Sequence, residues 1–189
     1  MILLDPDLDP EPVPTSKAVT GSSASPAALR TARLPSARTL ARFLRVAQTA
    51  ARVGGGVSLL LTTDRAMRRL NRRFRGKNKA TDVLSFPPGE AFPGIAGDLA
   101  ISVPTALRQA QERGHSLATE IKVLILHGLL HLAGYDHEGD NGNMARRERR
   151  LRARLGLPQG LIERSTQNAY ANPAPALRRK GGKSRSQNR

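Results

Sequence analysis

The 189-residue chain contains no cysteine. Disulfide frameworks and thiolate metal sites are therefore excluded, and a transition metal would have to be held by histidine and carboxylate. Tryptophan is also absent, and four Phe and two Tyr bring the aromatic share to only 3%. A nucleic-acid site built mainly on base stacking is poorly supplied by such a composition. Long apolar runs are missing as well. The longest strongly apolar stretch, from Ile121 to Leu132, is interrupted by Lys122 and two histidines and is too short to span a bilayer. The opening MILLDPDLDPEP has no basic start and turns acidic and proline-rich at once, unlike a signal peptide. A soluble cytoplasmic protein with no membrane partner is expected.

Acidic residues are scarce, 15 against 31 basic ones, for a formal net charge of +16. Residues 1–36 carry −1 and residues 165–189 carry +6, so +11 belongs to the region between them. The basic character therefore resides in the part that folds as well as in the tail. An anionic partner is favoured, nucleic acid ahead of membrane because no amphipathic anchor is evident. The plainer explanation of such charge is solubility.

Residues 5–36 hold six of the thirteen prolines among Ser, Thr, Ala and Gly, a composition that cannot build a core. The segment 1–35 is expected to be disordered, with a possible short first strand at 2–4. Ser36 is a plausible N-cap for a helix through ARTLARFLRVAQTAARV, ended by Gly54–Gly56. VSLLLTT (57–63) reads as a buried strand, after which Asp64 is expected to cap a short basic helix. TDVLSF (81–86) and GDLAISV (97–103) read as strands that could pair antiparallel across a loop. A helix opened by Pro104 and closed by Gly114 follows. Ser116 or Thr119 opens the next helix, ATEIKVLILHGLLHLAG, and a last basic helix, NMARRERRLRARLG, ends at Gly156. From residue 165 the chain is polar and basic without periodicity, a disordered tail. The expected architecture is α+β: one domain over 36–164, with a mixed sheet of about four strands covered by helices.

The stretch HGLLHLAGYDH places His127, His131 and His137 at H-x3-H-x5-H spacing. This is the ligand spacing of zinc proteases that read H-E-x-x-H-x-x-G-x-x-H, and the intervening glycine is present as Gly134. Positions 127 and 131 lie about 40° apart around a helix, so both rings leave one face. That helix is apolar nearly all round and must be buried, where an unpartnered imidazole is costly. Gly134 can end the helix in the left-handed conformation and return His137 toward the other two. A single histidine here would read as a satisfied core residue. Three in this spacing point instead to one zinc ion on a zincin-like helix, with an open fourth position of catalytic type.

Gly128 occupies the place where the protease keeps its general-base glutamate. Peptide hydrolysis is disfavoured unless Glu120, Asp136 or Glu138 substitutes; Asp136 and Glu138 are better read as support around the third ligand or as solvated groups. A histidine-held metal still neutralises charge developing on an oxygen, an ability suited to phosphodiester chemistry.

HGLLHLAGYDH resembles the H-G-x-L-H-L-x-G-Y-D-H signature of the YbeY family, bacterial metal-dependent endoribonucleases that mature ribosomal RNA. NRRFRGKNKATDVLSFP (71–87) is similar to that family's second motif, N-x-x-[YF]-R-x-x-D-x-P-T-D-V-L-S-F, and GDLAIS (97–102) to its G-D-I-x-I-S strand. The glutamate-bearing last helix followed by LGL (155–157) also fits, so the resemblance spans about 36–160. It implies that His127, His131 and His137 bind zinc and that Arg75 lies in the active-site cleft as a catalytic residue. Lys77 and Lys79 are expected, from charge alone, to add affinity for the RNA backbone. Asn78 and Ala80 stand where the family has aspartate and proline. The resemblance further implies a single-strand-specific nuclease working on ribosomal RNA, chiefly the 3′ end of the small-subunit RNA, and in ribosome quality control. Its partners would be that RNA, the ribosome or its small subunit; the oligomeric state is open. The rivals are a zinc metallopeptidase with an unrecognised base and a non-catalytic ribosome-assembly factor with a structural metal.

Overall fold

The computed structural model describes residues 1–8, 34–88, 93–136 and 139–158. Four strands form one sheet: β1 (Ile2–Leu4), β2 (Gly56–Thr62), β3 (Val83–Phe86) and β4 (Ile95–Ser102). Their spatial order is β1-β2-β4-β3, with β1, β2 and β4 parallel and β3 antiparallel to β4. The mixed α+β sheet expected from the sequence is present. TDVLSF and GDLAIS pair as antiparallel neighbours, Val83 opposite Ile101 and Phe86 opposite Asp98.

Five helices accompany the sheet: α1 (Ala37–Ala51), α2 (Asp64–Arg75), α3 (Val103–Glu112), α4 (Leu117–Leu132) and α5 (Asn143–Leu155). Strand alternation divides the apolar residues between two faces. Val57, Leu59 and Leu61 of β2, with Leu99 and Ile101 of β4, join the large core under α1, α3, α4 and α5. On the other face Met67 of α2 packs with Leu84 and Ala100. Helix α4 runs through the centre of the large core, burying Ile121, Leu124, Ile125, Leu126, Leu129 and Leu130 completely. Its apolar residues are thus matched by neighbours from the sheet and the other helices, and truncating one of them to Ala should cost about 2–5 kcal/mol. Among the described residues no helix is long and apolar enough to cross a membrane.

The helix starts are set by hydroxyl caps. Ser36, Thr63, Ser102 and Ser116 each accept the backbone N–H of the residue three positions on. One expectation is corrected here. Thr63, not Asp64, caps α2, because its extended backbone (φ −91°, ψ 161°) directs the hydroxyl to the Ala66 N–H. Asp64 sits one residue inside the helix and turns its carboxylate to Ser102, Thr105 and Arg108 at the start of α3. Helix α4 begins at Leu117, one residue before the expected ATEIKV run, and of the two expected openers Ser116 is the cap, its hydroxyl accepting the Thr119 N–H. Most of the proline-rich segment (9–33) and the whole basic tail (165–189) lie outside the described residues.

Candidate metal site and nucleic-acid cleft

His127 and His131 project from the same face of α4, as their four-residue spacing requires. Their rings meet edge to face with centroids 4.8 Å apart. The two Nε2 atoms are 3.2 Å apart. Two ligands each 2.0–2.1 Å from one tetrahedral zinc would be separated by about 3.3 Å, so this pair is spaced to share a metal. Helix α4 ends in a paired turn: the Gly134 N–H bonds to His131 O and the Tyr135 N–H to Leu130 O, both at 3.0 Å. Gly134 takes φ 84°, a conformation that only glycine adopts cheaply, so the chain can turn sharply beside the histidine face. The expected third ligand, His137, and Glu138 lie outside the described residues. Among the described residues no three His, Asp or Glu side chains form a group able to hold a metal.

Glu148, the glutamate of the last helix noted in the sequence only as a fit to the resembled family, is the main addition to the site. Its Oε2 lies 3.1 Å from Nδ1 of His127, while Oε1 accepts from Nε of the buried Arg152 at 2.6 Å. Arg152 in turn donates to the Pro158 carbonyl at 2.6 Å. With Nδ1 engaged by a carboxylate, His127 turns Nε2 toward His131, the orientation a metal-binding imidazole needs. Burial pushes the Glu148 carboxyl up, but the hydrogen bonds and charges of His127 and Arg152 outweigh it and hold the group below the usual range. A signal for this residue existed. Glu148 is the only acidic residue in α5 and shares the inward stripe with Met144 and Leu151. A carboxylate on a buried stripe requires a partner.

Gly128 has a packing reason. A Cβ at this position would lie 2.7 Å from Cδ2 of Leu99 and 3.2 Å from the Ser85 hydroxyl. The Ser85 hydroxyl donates to the Gly128 carbonyl at 3.1 Å, fastening α4 to β3. The place of the protease's glutamate therefore faces the sheet and holds no side chain. Glu120 is no substitute, because it is fully buried and bonded by Arg113 and by His115, the fourth histidine. It also lies about 10 Å from His127 along the helix. Asp136 is exposed at the cleft wall.

The two histidines open onto a cleft of about 930 Å³ whose lining also includes Arg75, Lys77 and Lys79. Arg75 is the last residue of α2, and Gly76 at φ 68° turns the chain into the loop bearing the lysines. Buried Asn71 ties that loop down, its Nδ2 donating to the Lys79 carbonyl at 2.8 Å. This same loop carries Asn78 and Ala80 in place of the aspartate and proline of the resembled motif. All five described residues of the expected site thus face one cavity, although three come from α2 and its following loop and two from α4.

The arrangement is that of an α+β enzyme whose paired imidazoles stand at the floor of a cationic cleft suited to an anionic substrate. A family model described as endoribonuclease YbeY matches residues 30–156, and the chain belongs to that family. It is 54% identical over 134 residues to endoribonuclease YbeY of Koribacter versatilis, covering 71% of this chain and 87% of that protein. The Solibacter usitatus protein of the same name is 56% identical over 123 residues, covering 65% and 82%. A solution structure from Thermotoga maritima aligns with a TM-score of 0.46 at 24% identity, covering 77% of this chain and 96% of that one.

Proposed function

We propose that this chain is a zinc-dependent, single-strand-specific endoribonuclease of the cytoplasm. It acts in ribosomal RNA processing, chiefly in maturing the 3′ end of the small-subunit RNA, and in ribosome quality control. Membership of the endoribonuclease family supports the coarser part, hydrolytic cleavage of RNA. The observation that supports a metal-and-arginine site is the shared cleft, whose lining includes Arg75 and two histidines spaced for one metal.

In this reading His127 and His131 hold the zinc ion together with His137. Bound zinc supplies Lewis-acid charge against the negative charge that develops on the phosphoryl oxygens. The Arg75 guanidinium offers a planar fork of donors to the scissile phosphate and stays charged at any working pH, so it binds, orients and stabilises that group. Lys77 and Lys79 contact neighbouring phosphates of the strand. Glu148 is a positioning residue, holding His127 in the required tautomer and rotation. Phosphate contacts dominate where aromatics are few, so weak sequence preference and strong salt dependence follow. The peptidase alternative lacks its base, since Gly128 has no room for one.

The test is incubation of purified protein with labelled ribosomal RNA and with matched single- and double-stranded oligonucleotides, with and without a chelator. Chelator-sensitive cleavage confined to single strands is expected. Casein hydrolysis without RNA cleavage would end the proposal.

A further inference from the structure

A second cavity of about 550 Å³ adjoins the metal cleft, with Gly134 and Tyr135 lining both. Its outer wall is α5, from which Arg146, Arg147 and Arg150 line it. Helix α5 carries six arginines and one glutamate. Arg152 is committed to Glu148 inside the molecule, and Arg147 is anchored by a 3.0 Å bond to the Ala50 carbonyl. Arg146 and Arg150 are exposed and four residues apart, so they stand on one helix face above the cavity. Arg146 is held upright by Asn141 O and Asn143 Oδ1.

Asp140 and Arg147 line the cavity, but Nε of Arg147 and Oδ1 of Asp140 are themselves buried and without a hydrogen-bond partner among the described residues. The other Asp140 oxygen accepts the Met144 N–H at 2.5 Å, so this carboxylate is turned toward the start of α5. It sets one negative charge against three positive ones. A ribose-phosphate backbone suits such a wall, its phosphate oxygens meeting the exposed Arg146 and Arg150.

We propose that this cavity is a second RNA subsite. A strand cut at the histidines continues past Tyr135 and lays its next phosphates on Arg146 and Arg150. The inference rests on the proposed ribonuclease reading of the adjacent cleft, and it explains why the final helix is basic on its outer face. RNA is favoured over an acidic protein because the cavity adjoins the cleft, with Tyr135 and Gly134 lining both.

The test is fluorescence anisotropy with a cleavage-resistant 2′-O-methyl phosphorothioate RNA of about 12 nucleotides, titrated across a salt series. Each phosphate contact on a single strand contributes about 0.7 to the slope of log K against log salt, so Arg146→Ala with Arg150→Ala should lower it by about 1.4. Arg150→Ala alone, which removes no internal hydrogen bond among those described, should lower it by about 0.7. Arg154→Ala is the control, an exposed α5 arginine lining neither cavity, and should leave the slope unchanged. An unaltered slope in the double variant, or an equal change with Arg154→Ala, overturns the subsite. Parallel cleavage assays separate the two readings. Wild-type protein that binds with the arginine-dependent slope yet fails to cut RNA supports the subsite and removes the nuclease reading.

Discussion

Nδ1 of His127 lies 3.1 Å from Oε2 of Glu148, a residue 21 positions further along the chain. The orientation of a ring on the central helix is therefore set by the last helix, across the α4–α5 contact. Arg152 holds the second oxygen of the same carboxylate, so Glu148 cannot rotate without breaking a buried ion pair, and His127 cannot rotate without losing its bond to that fixed carboxylate. Carboxylate–imidazole pairs of this kind fix which nitrogen remains for a metal and raise its basicity.

Glu148→Gln tests that relationship. The amide oxygen can still accept from Nδ1, but the charge is gone, so zinc affinity and RNA cleavage should each fall by about 10–100-fold. Zinc content by mass spectrometry and cleavage rate at saturating zinc give the two readouts. Full zinc content at the wild-type rate would remove Glu148 from the site. Glu148→Ala should instead destabilise by about 3–5 kcal/mol, because Arg152 is left buried without its partner.

His127→Ala separates a catalytic metal from a structural one. Glu148 keeps its bond to Arg152 in this variant, so the α4–α5 packing should survive. The expected result is loss of RNA cleavage with an unchanged circular dichroism spectrum. Unfolding would favour the assembly factor with a structural metal.

Arg75→Ala should lower cleavage by about 10²-fold or more while leaving zinc content untouched, because the role proposed for Arg75 is to hold the phosphate and not the metal. Arg75→Lys keeps the charge but not the planar fork, so it should restore only part of the rate. A lysine variant as fast as wild type would show that charge alone suffices.

The strand pair and the two-histidine face were legible in the sequence because period and spacing are local properties. Alternation marked GDLAIS, and the four-residue step placed His127 and His131 on one face. The cap of α2 was misassigned because Thr63 and Asp64 are both good cap residues, and only the backbone angles at Thr63 decide between them. Glu148 escaped because its role depends on which side of α5 meets α4, a tertiary fact. Gly128 was read as a missing base, whereas its absent side chain also reflects the close approach of Leu99 from β4.

Asp64 links two helix starts and should make stability depend on acidity. Burial raises its pKa, but bonds from Ser102, Thr105 and Arg108, with the charge of Arg108, bring it below the usual carboxylate value. A depressed folded-state pKa means that the stabilisation is complete above the unfolded pKa, about 3.9, and is lost as pH falls through the folded one. Asp64→Asn should therefore cost about 1 kcal/mol at neutral pH, discounted for its partial exposure, and nothing in strong acid. Urea melts of both proteins at neutral and acidic pH measure the difference; a gap that persists at the acidic end would contradict the assignment.

Gly128→Glu asks whether restoring the protease pattern restores a protease. The resulting H-E-x-x-H sequence looks complete on paper, but the new Cβ would start 2.7 Å from Leu99 Cδ2, with the carboxylate driven into the sheet. Leu99 is buried within the main core and cannot withdraw without opening a void there. Overpacking and a buried, unpaired carboxylate together should destabilise by about 3 kcal/mol or more. Gly128→Ala isolates the steric part: the helix gains about 1 kcal/mol in propensity, against about 1–3 kcal/mol for displacing Leu99. Thermal melts of both variants, with casein hydrolysis for the glutamate, give the readout. Casein hydrolysis by a stably folded Gly128→Glu variant would mean that the new carboxylate reaches the cleft after all, and that the packing of Gly128 against β4 does not decide between peptide and phosphodiester chemistry.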